Sequence, residues 1–402
     1  MFASNVFSRP ARRLALLSVP ALLLAAQACR DDAGSPTAPD SEPAGAIKSA
    51  QALWSQVSGG NAHTCGVTRD TQAYCWGYGI HGDGDTYSLR LTPVAVAGGH
   101  SFRQVSTGVD HSCGVTTDRQ AFCWGGNSSG QLGDGSTDDR LTPVLVAGGH
   151  RFRHVDAGSF HTCGLSYPDN LAYCWGSNAL GKLGDGSITD RQTPVAVARG
   201  LRFHQVTAGW DHSCGITNAG DGYCWGSNRS GQVGDGTEIN RRQRPVAIAG
   251  GHRFRTVDGG LDHTCAVTTD DQAFCWGDGG YGQLGDGSTS RRRSPVAVAG
   301  GHRFTRATTG AFHTCAETEE NRAYCWGNNV YGSVGDGTDT QRSRPAAVTG
   351  GRAYGQVSAG SFFSCGVTSG GAAYCWGENT NGELGDGTGV GRSTPGPVSG
   401  SM

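Results

Sequence analysis

Fourteen of the fifteen cysteines fall into seven close pairs: Cys65 with Cys75, Cys113 with Cys123, Cys163 with Cys174, Cys214 with Cys224, Cys265 with Cys275, Cys315 with Cys325, and Cys365 with Cys375. Such pairs can form disulfides or ligate a metal. In six copies a histidine stands two residues before the first cysteine, as His63 does before Cys65. On a strand those two side chains share a face. With Cys75 they would offer three zinc ligands. The seventh copy carries Phe363 at the histidine position and keeps both cysteines. A shared metal would not survive that loss, so the pairs are read as disulfides and no metal is assigned. The histidines are read as packing and hydrogen-bonding residues near a turn.

The dipeptides Asp110-His111, Asp211-His212 and Asp262-His263 suggest acid–base chemistry. Adjacent strand residues point to opposite faces, which makes them poor dyads. No His-Glu-x-x-His or phosphate-binding loop occurs. An aspartate recurs between or beside glycines at Asp83, Asp134, Asp185, Asp235, Asp286, Asp336 and Asp386. One carboxylate per loop is too few for a calcium site, whereas it suits capture of turn N–H groups. The chain therefore reads as a non-enzyme without catalytic residues or a cofactor.

The elements that must hold these residues come from a repeat. Cys-Trp-Gly recurs at Trp76, Trp124, Trp175, Trp225, Trp276, Trp326 and Trp376, at spacings of 48, 51, 50, 51, 50 and 50. Seven copies fill residues 54–399. Each reads as four short strands. Val94 to Ala97 leads through Gly98-Gly99-His100, read as a hairpin turn, into Phe102 to Val105. Two further turns lead to His111–Val115 and Ala121–Trp124. A longer connection crosses to the next unit. Pairing Cys65 with Cys75 sets Val67 opposite Ala73 and Tyr74 opposite Gly66, where a ring can cover bare backbone. The same register sets Phe122 opposite Gly114. Four antiparallel strands repeated seven times predict an all-β, seven-bladed β-propeller. A β-solenoid has shorter coils. The chain enters at Trp54 on a second strand and leaves on a first strand, Thr394 to Val398. The C-terminal strand is therefore expected to complete the first blade and close the ring.

Composition agrees. Glycine makes up 67 of 402 residues, and only 16% are charged. That excess excludes long helices. There is no Gly-X-Y period, which excludes collagen. The 9 Trp, 11 Tyr and 13 Phe argue against disorder. Net charge is −2 with no strongly basic segment, so no nucleic-acid partner is expected. At the N-terminus, Arg9, Arg12 and Arg13 precede an apolar run from Leu14 to Ala26, too short to span a bilayer. Ala26-Gln27-Ala28 and Cys29 follow, as in a bacterial lipoprotein signal. The expected division is 1–28 signal peptide, 29–53 lipid-attachment cysteine and flexible linker, and 54–402 propeller. The expected location is the bacterial cell envelope, with membrane contact only through the lipid on Cys29. Plain periplasmic or secreted export is the alternative.

The small-x-x-His turn, Cys-Trp-Gly, Gly-Gln-Leu-Gly-Asp-Gly (130–135 and 282–287) and the following proline resemble the regulator of chromosome condensation repeat family. The resemblance covers residues 54–399. It implies a seven-bladed propeller. The family's founding member is a nuclear nucleotide-exchange factor that also binds chromatin. Another bacterial propeller of this kind inhibits β-lactamase by binding it across one face. This chain departs from the family in its export signal, its cysteine pair in every blade and its lack of a basic tail. Nucleotide exchange is therefore not expected.

Residues shared by all copies serve architecture, so function is sought where copies differ. One variable set is the turn before the histidine: Asp110, Phe160, Asp211, Asp262, Phe312 and Phe362, with Trp210 beside Asp211. The other is the crossover, including Arg241, Arg242, Arg291, Arg292 and Arg293. Exposed aromatics and arginines suit recognition of a protein partner by a monomer. A glycan-binding surface and an enzyme with a central-channel site are the alternatives, and a solvated, drifting surface is the bland one.

Overall fold

The computed structural model describes residues 52–400. The signal, Cys29 and the linker as far as residue 51 lie outside the described residues. The first blade contains β1 (Trp54–Gly59), β2 (His63–Thr68), β3 (Ala73–Gly79) and β4 (Ser88–Ala95), hydrogen-bonded in that order. Six further four-stranded antiparallel sheets follow at 102–145, 152–196, 203–247, 254–297, 304–347 and 354–397. They are blades 2 to 7 of an all-β propeller. The ends of β1 and its counterparts line the central channel, so these are the inner strands.

The register across β2 and β3 is the one the cysteines predict: Cys65 faces Cys75, Gly66 faces Tyr74 and Val67 faces Ala73. Every expected pair is a disulfide. Cys65 is bonded to Cys75, Cys113 to Cys123, Cys163 to Cys174 and Cys214 to Cys224. Cys265 is bonded to Cys275, Cys315 to Cys325 and Cys365 to Cys375. Their Cα atoms are 4.0–4.1 Å apart. That is slightly closer than the roughly 4.4 Å lower bound usual for disulfides. One detail differs from expectation. The space where Gly66 would carry a Cβ is filled by Trp54 of β1, 2.6 Å away, not by the cross-strand Tyr74. Phe102 fills the same space at Gly114.

Blades pack face to face. Cys65, Val67, Ala73 and Cys75 of blade 1 form one core cluster with Phe102, Val105 and Trp124 of blade 2. The repeated tryptophans are fully buried. At about 25 cal/mol per Å² and about 200 Å² per ring, each contributes on the order of 5 kcal/mol. The indole N–H still needs an acceptor. Trp175 donates to Gln131 O at 2.9 Å, and Trp76 donates to Glu383 O at 2.8 Å.

Two expectations about strand grouping are corrected. Val94 pairs with Cys75, so β4 is the outer strand of the blade before the Gly-Gly turn. Gly98 and Gly99 do take positive φ, 94° and 63°, but their turn links two blades. For the same reason the last strand, Arg392–Pro397, pairs with Ala373–Gly377 inside blade 7 and not with β1. The C-terminal segment nonetheless reaches the start of the ring. Val398 shares a core with Trp54 and Trp76, and Ala52 N–H donates to Gly400 O at 3.0 Å.

Polar clamps close the ring. An inner strand leaves backbone groups unpaired along its channel edge, and these need partners. Gln56 of blade 1 reaches Val105 of blade 2, donating from Nε2 to Val105 O at 2.8 Å and accepting Val105 N–H at 3.1 Å. Gln104 holds Val155, and Gln205 holds Val257, in the same way. Gln356 holds Val57, which joins blade 7 to blade 1.

Candidate functional site

The turn after each inner strand carries a glycine at one end of the channel. These are Gly60, Gly108, Gly158, Gly209, Gly260, Gly310 and Gly360. Each presses against the carbonyl of the next: a Cβ on Gly108 would lie 2.1 Å from Gly158 O, and one on Gly310 would lie 2.0 Å from Gly360 O. The following N–H groups bridge the same blades, as Trp210 N–H does to Gly260 O at 3.1 Å and Ser361 N–H to Gly60 O at 3.0 Å. The glycine ring thus fixes seven turns around one mouth. The variable residues of those turns stand on the mouth face.

The histidine after each turn serves architecture. His63 Nε2 lies 2.9 Å from Ser112 Oγ of the next blade, and His111, His161, His212, His263 and His313 repeat the contact. Burial lowers these imidazoles, to about 3 for His63, His111 and His263 and about 4 for His212 and His313. They are neutral over the physiological range. Among the described residues, no group of three or more His, Cys, Asp or Glu side chains could hold a metal ion.

The loop aspartates are bound as their position suggests. Asp134 Oδ1 accepts Ser136 N–H at 3.0 Å, and Oδ2 pairs with Arg140. Partial burial raises its pKa, but Arg140 and Ser136 outweigh burial and hold it below the ordinary range. The same ion pair recurs as Asp83–Arg90, Asp185–Arg191, Asp235–Arg242, Asp286–Arg292, Asp336–Arg342 and Asp386–Arg392. Arg242 and Arg292, sought as recognition residues, are therefore engaged in the fold. Arg241, Arg291 and Arg293 are exposed, in or beside the outer strands of blades 4 and 5. Arg293 pairs with Glu238 at 3.1 Å, and Arg291 donates to Arg229 O at 3.2 Å.

The turn residues divide the mouth face. In blades 6 and 7, Phe312 and Phe362 stack with centroids 5.0 Å apart and planes at 26°. Tyr281 meets Phe312 edge-on at 5.4 Å, and Tyr331 meets Phe362 edge-on at 5.3 Å. The four rings form one continuous ridge, with Tyr281 41% and Tyr331 47% exposed. The two tyrosines were not singled out from the sequence. They come from the crossover position just before Gly282 and Gly332, where other copies carry Ser129, Leu180, Ser230 or Asn381. Phe160 of blade 3 is exposed on its own turn.

Blades 4 and 5 are polar. Trp210 lines the mouth cavity, about 110 Å³, together with Asp156, Asp258, Arg306 and the turn glycines. Asp211 accepts from the buried Lys182 Nζ at 2.9 Å, and the same ammonium reaches Trp210 O at 3.3 Å. Asp262 accepts Gln232 Nε2 at 2.9 Å. Burial raises the Asp262 carboxyl, and Asp278 and Asp211 raise it further. Asp110 of blade 2 is exposed.

Comparison with known proteins fits this architecture. The RCC1-like domain model matches residues 147–401, and two Regulator of chromosome condensation (RCC1) repeat models match 119–165 and 102–131. The ultraviolet-B receptor UVR8 of Arabidopsis thaliana is 31% identical over 161 residues, 39% of this chain and 37% of that one. The probable E3 ubiquitin-protein ligase HERC4 of Homo sapiens is 33% identical over 123 residues, 29% of this chain and 12% of that one. The match thus spans well under half the length of either relative. Human WBSCR16 superposes with a TM-score of 0.72 at 20% identity, over 82% of this chain and 94% of that one. Prp20p of Saccharomyces cerevisiae, studied for its binding to Gsp1p and histones, superposes at 0.73 with 21% identity, over 83% and 87%. At these identities the likeness is one of fold.

Proposed function

The chain belongs to the RCC1-like domain family, and we propose that it is an extracytoplasmic binding protein that captures a protein partner on the mouth face of its propeller. The observation that carries this reading is the ridge Tyr281–Phe312–Phe362–Tyr331. Half-exposed aromatic rings held by their neighbours lose little freedom on binding and are enriched at interface centres. Trp210 and the carboxylates of Asp211 and Asp262 supply a polar flank on the same face. β1 runs toward the mouth, so the chain enters the ring on the opposite face, near Trp54. A lipid on Cys29 and the linker after it would tether a monomeric ring to the envelope.

Glycan binding is the second reading, because stacked rings also serve sugars. Phe312 and Phe362 turn one face each toward the other, which favours a partner that wraps a ridge over a sugar that lies on an open ring. Catalysis in the channel has less support, since Asp156 and Asp258 hold backbone N–H groups of neighbouring blades. The test compares the full chain with Phe312→Ala/Phe362→Ala in pull-downs from envelope extract and on a glycan array. The reading expects specific protein capture that the variant loses. Glycan retention with no protein captured would replace it with the second reading.

A further inference from the structure

Thr207, in the inner strand of blade 4, lies between two carboxylates of neighbouring blades. Its Oγ1 is 2.8 Å from Asp156 Oδ2 of blade 3 and 3.1 Å from Asp258 Oδ1 of blade 5. A hydroxyl carries one proton and can donate to only one of them. Asp156 is the acceptor by its other contacts: Oδ2 also receives Ala208 N–H at 2.9 Å, and Oδ1 receives Ser106 Oγ at 2.8 Å. Asp258 Oδ2 is likewise engaged, by Thr309 N–H at 2.7 Å. Asp258 Oδ1 has Thr207 as its hydrogen-bond partner, and with the hydroxyl's one proton given to the shorter contact, 2.8 Å to Asp156, the 3.1 Å contact has none from Thr207. Two oxygens facing each other at 3.1 Å need a proton between them.

We infer that Asp258 carries that proton on Oδ1, so that Asp258, Thr207 and Asp156 form a proton-dependent stitch across the mouth ends of blades 3, 4 and 5. The proton comes from solvent and returns to it; Asp258 O–H donates to Thr207 Oγ1, and Thr207 O–H donates to Asp156 Oδ2. The surrounding charges fit. Burial and Asp156 push the Asp258 carboxyl up, the Thr309 N–H, Arg306 and the Thr207 hydroxyl pull it down, and the balance is about 6. His154 stands beside Asp156, with Arg306 and Arg103 near it, and burial keeps it below the ordinary histidine range.

The stitch sits directly before the turns that carry Phe160, Trp210 and Asp262. Above about pH 6 the proton leaves, the Asp258–Thr207 contact becomes lone pair against lone pair, and blade 5 loses this one tie to blade 4 while the Trp210–Gly260 hydrogen bond and the Gln205–Val257 clamp remain. A pH effect on partner capture rests on the mouth-face reading; the stitch itself does not.

The test is carboxyl-carbon NMR of the aspartate-labelled full chain against pH, with thermal unfolding of Asp258→Asn at about pH 5 and about pH 7.5, on either side of the Asp258 midpoint. One aspartate should titrate near pH 6, and its signal should vanish in Asp258→Asn. That amide donates permanently to Thr207, so the variant's midpoint should match or exceed wild type at the higher pH. If the variant does not fold, Thr207→Val identifies the signal by shifting its midpoint. An Asp258 that titrates below about pH 5, in the ordinary carboxylate range, overturns the inference. An Asp258 that titrates near pH 6 with pH-independent partner capture would leave the stitch standing and overturn its control of the mouth.

Discussion

Gln356 and Val57, 299 residues apart in sequence, share two hydrogen bonds: Gln356 Nε2 donates to Val57 O at 2.8 Å, and Val57 N–H donates to Gln356 Oε1 at 3.1 Å. Gln56 and Val105 share the same pair within the ring. The seam between the last and first blades is therefore bonded like an internal interface. Gln356→Ala leaves two partly buried backbone groups unpaired, at about 1–3 kcal/mol each. Thermal unfolding should show Gln356→Ala and Gln56→Ala falling by similar amounts. A loss confined to one of them would mean that the seam is not an ordinary interface.

The mouth glycines make a sharper prediction. Gly310→Ala places a Cβ 2.0 Å from Gly360 O, a backbone atom that cannot rotate away. Gly355→Ala meets nothing closer than 3.9 Å. Denaturant titration should show Gly310→Ala losing about 3 kcal/mol or more, as overpacked sites do, and Gly355→Ala staying within about 0.5 kcal/mol.

Each disulfide closes a loop of about 11 residues, which constrains the unfolded chain by roughly 2.8 kcal/mol. Replacing Cys113 and Cys123 together by alanine should lower the unfolding free energy by that order. Non-reducing mass spectrometry of the untreated chain should recover Cys113 and Cys123 in one linked peptide. Free thiols there would contradict the pairing.

The six buried histidines set an acid limit. The folded values of His63, His111, His212, His263 and His313 lie near 3 to 4, and His161 is likewise held well below the ordinary value of roughly 6.5 that applies when unfolded. Above about pH 6.5 both states are neutral and nothing changes. Between about 6.5 and about 4 the unfolded chain binds more protons, so stability falls as pH falls, by about 1.4 kcal/mol per pH unit for each histidine. The unfolding midpoint should drop steeply from about pH 6.5 to about 4.5, and less steeply in His263→Gln. A flat profile would show that the imidazoles are not neutral and buried.

What the sequence disclosed followed from local spacing. The cysteine register and the glycine-bounded turns lie within a few residues of each other, and seven copies repeat them. Tyr281 and Phe312 lie far apart in the chain, so only the packing of neighbouring blades shows that they share a ridge. Arg242 and Arg292 resembled variable loop residues because their partners, Asp235 and Asp286, stand seven and six positions back across a crossover whose sequence differs between blades. The clamps and the Thr207 stitch join residues about 50 positions apart. Comparing copies position by position shows what varies, but not which varied residues touch. The Gly-Gly turn misled because positive φ suits a link between blades as well as a hairpin.

The central claim is that the aromatic ridge is where a protein partner binds. A photo-crosslinking residue at position 362 of the full chain, in intact envelopes, tests it most directly. Position 145, exposed on the outer strand of blade 2, is the control. The account predicts one discrete protein adduct at 362, lost when Phe312→Ala is added, and none at 145. An adduct at 145 with none at 362 would contradict it.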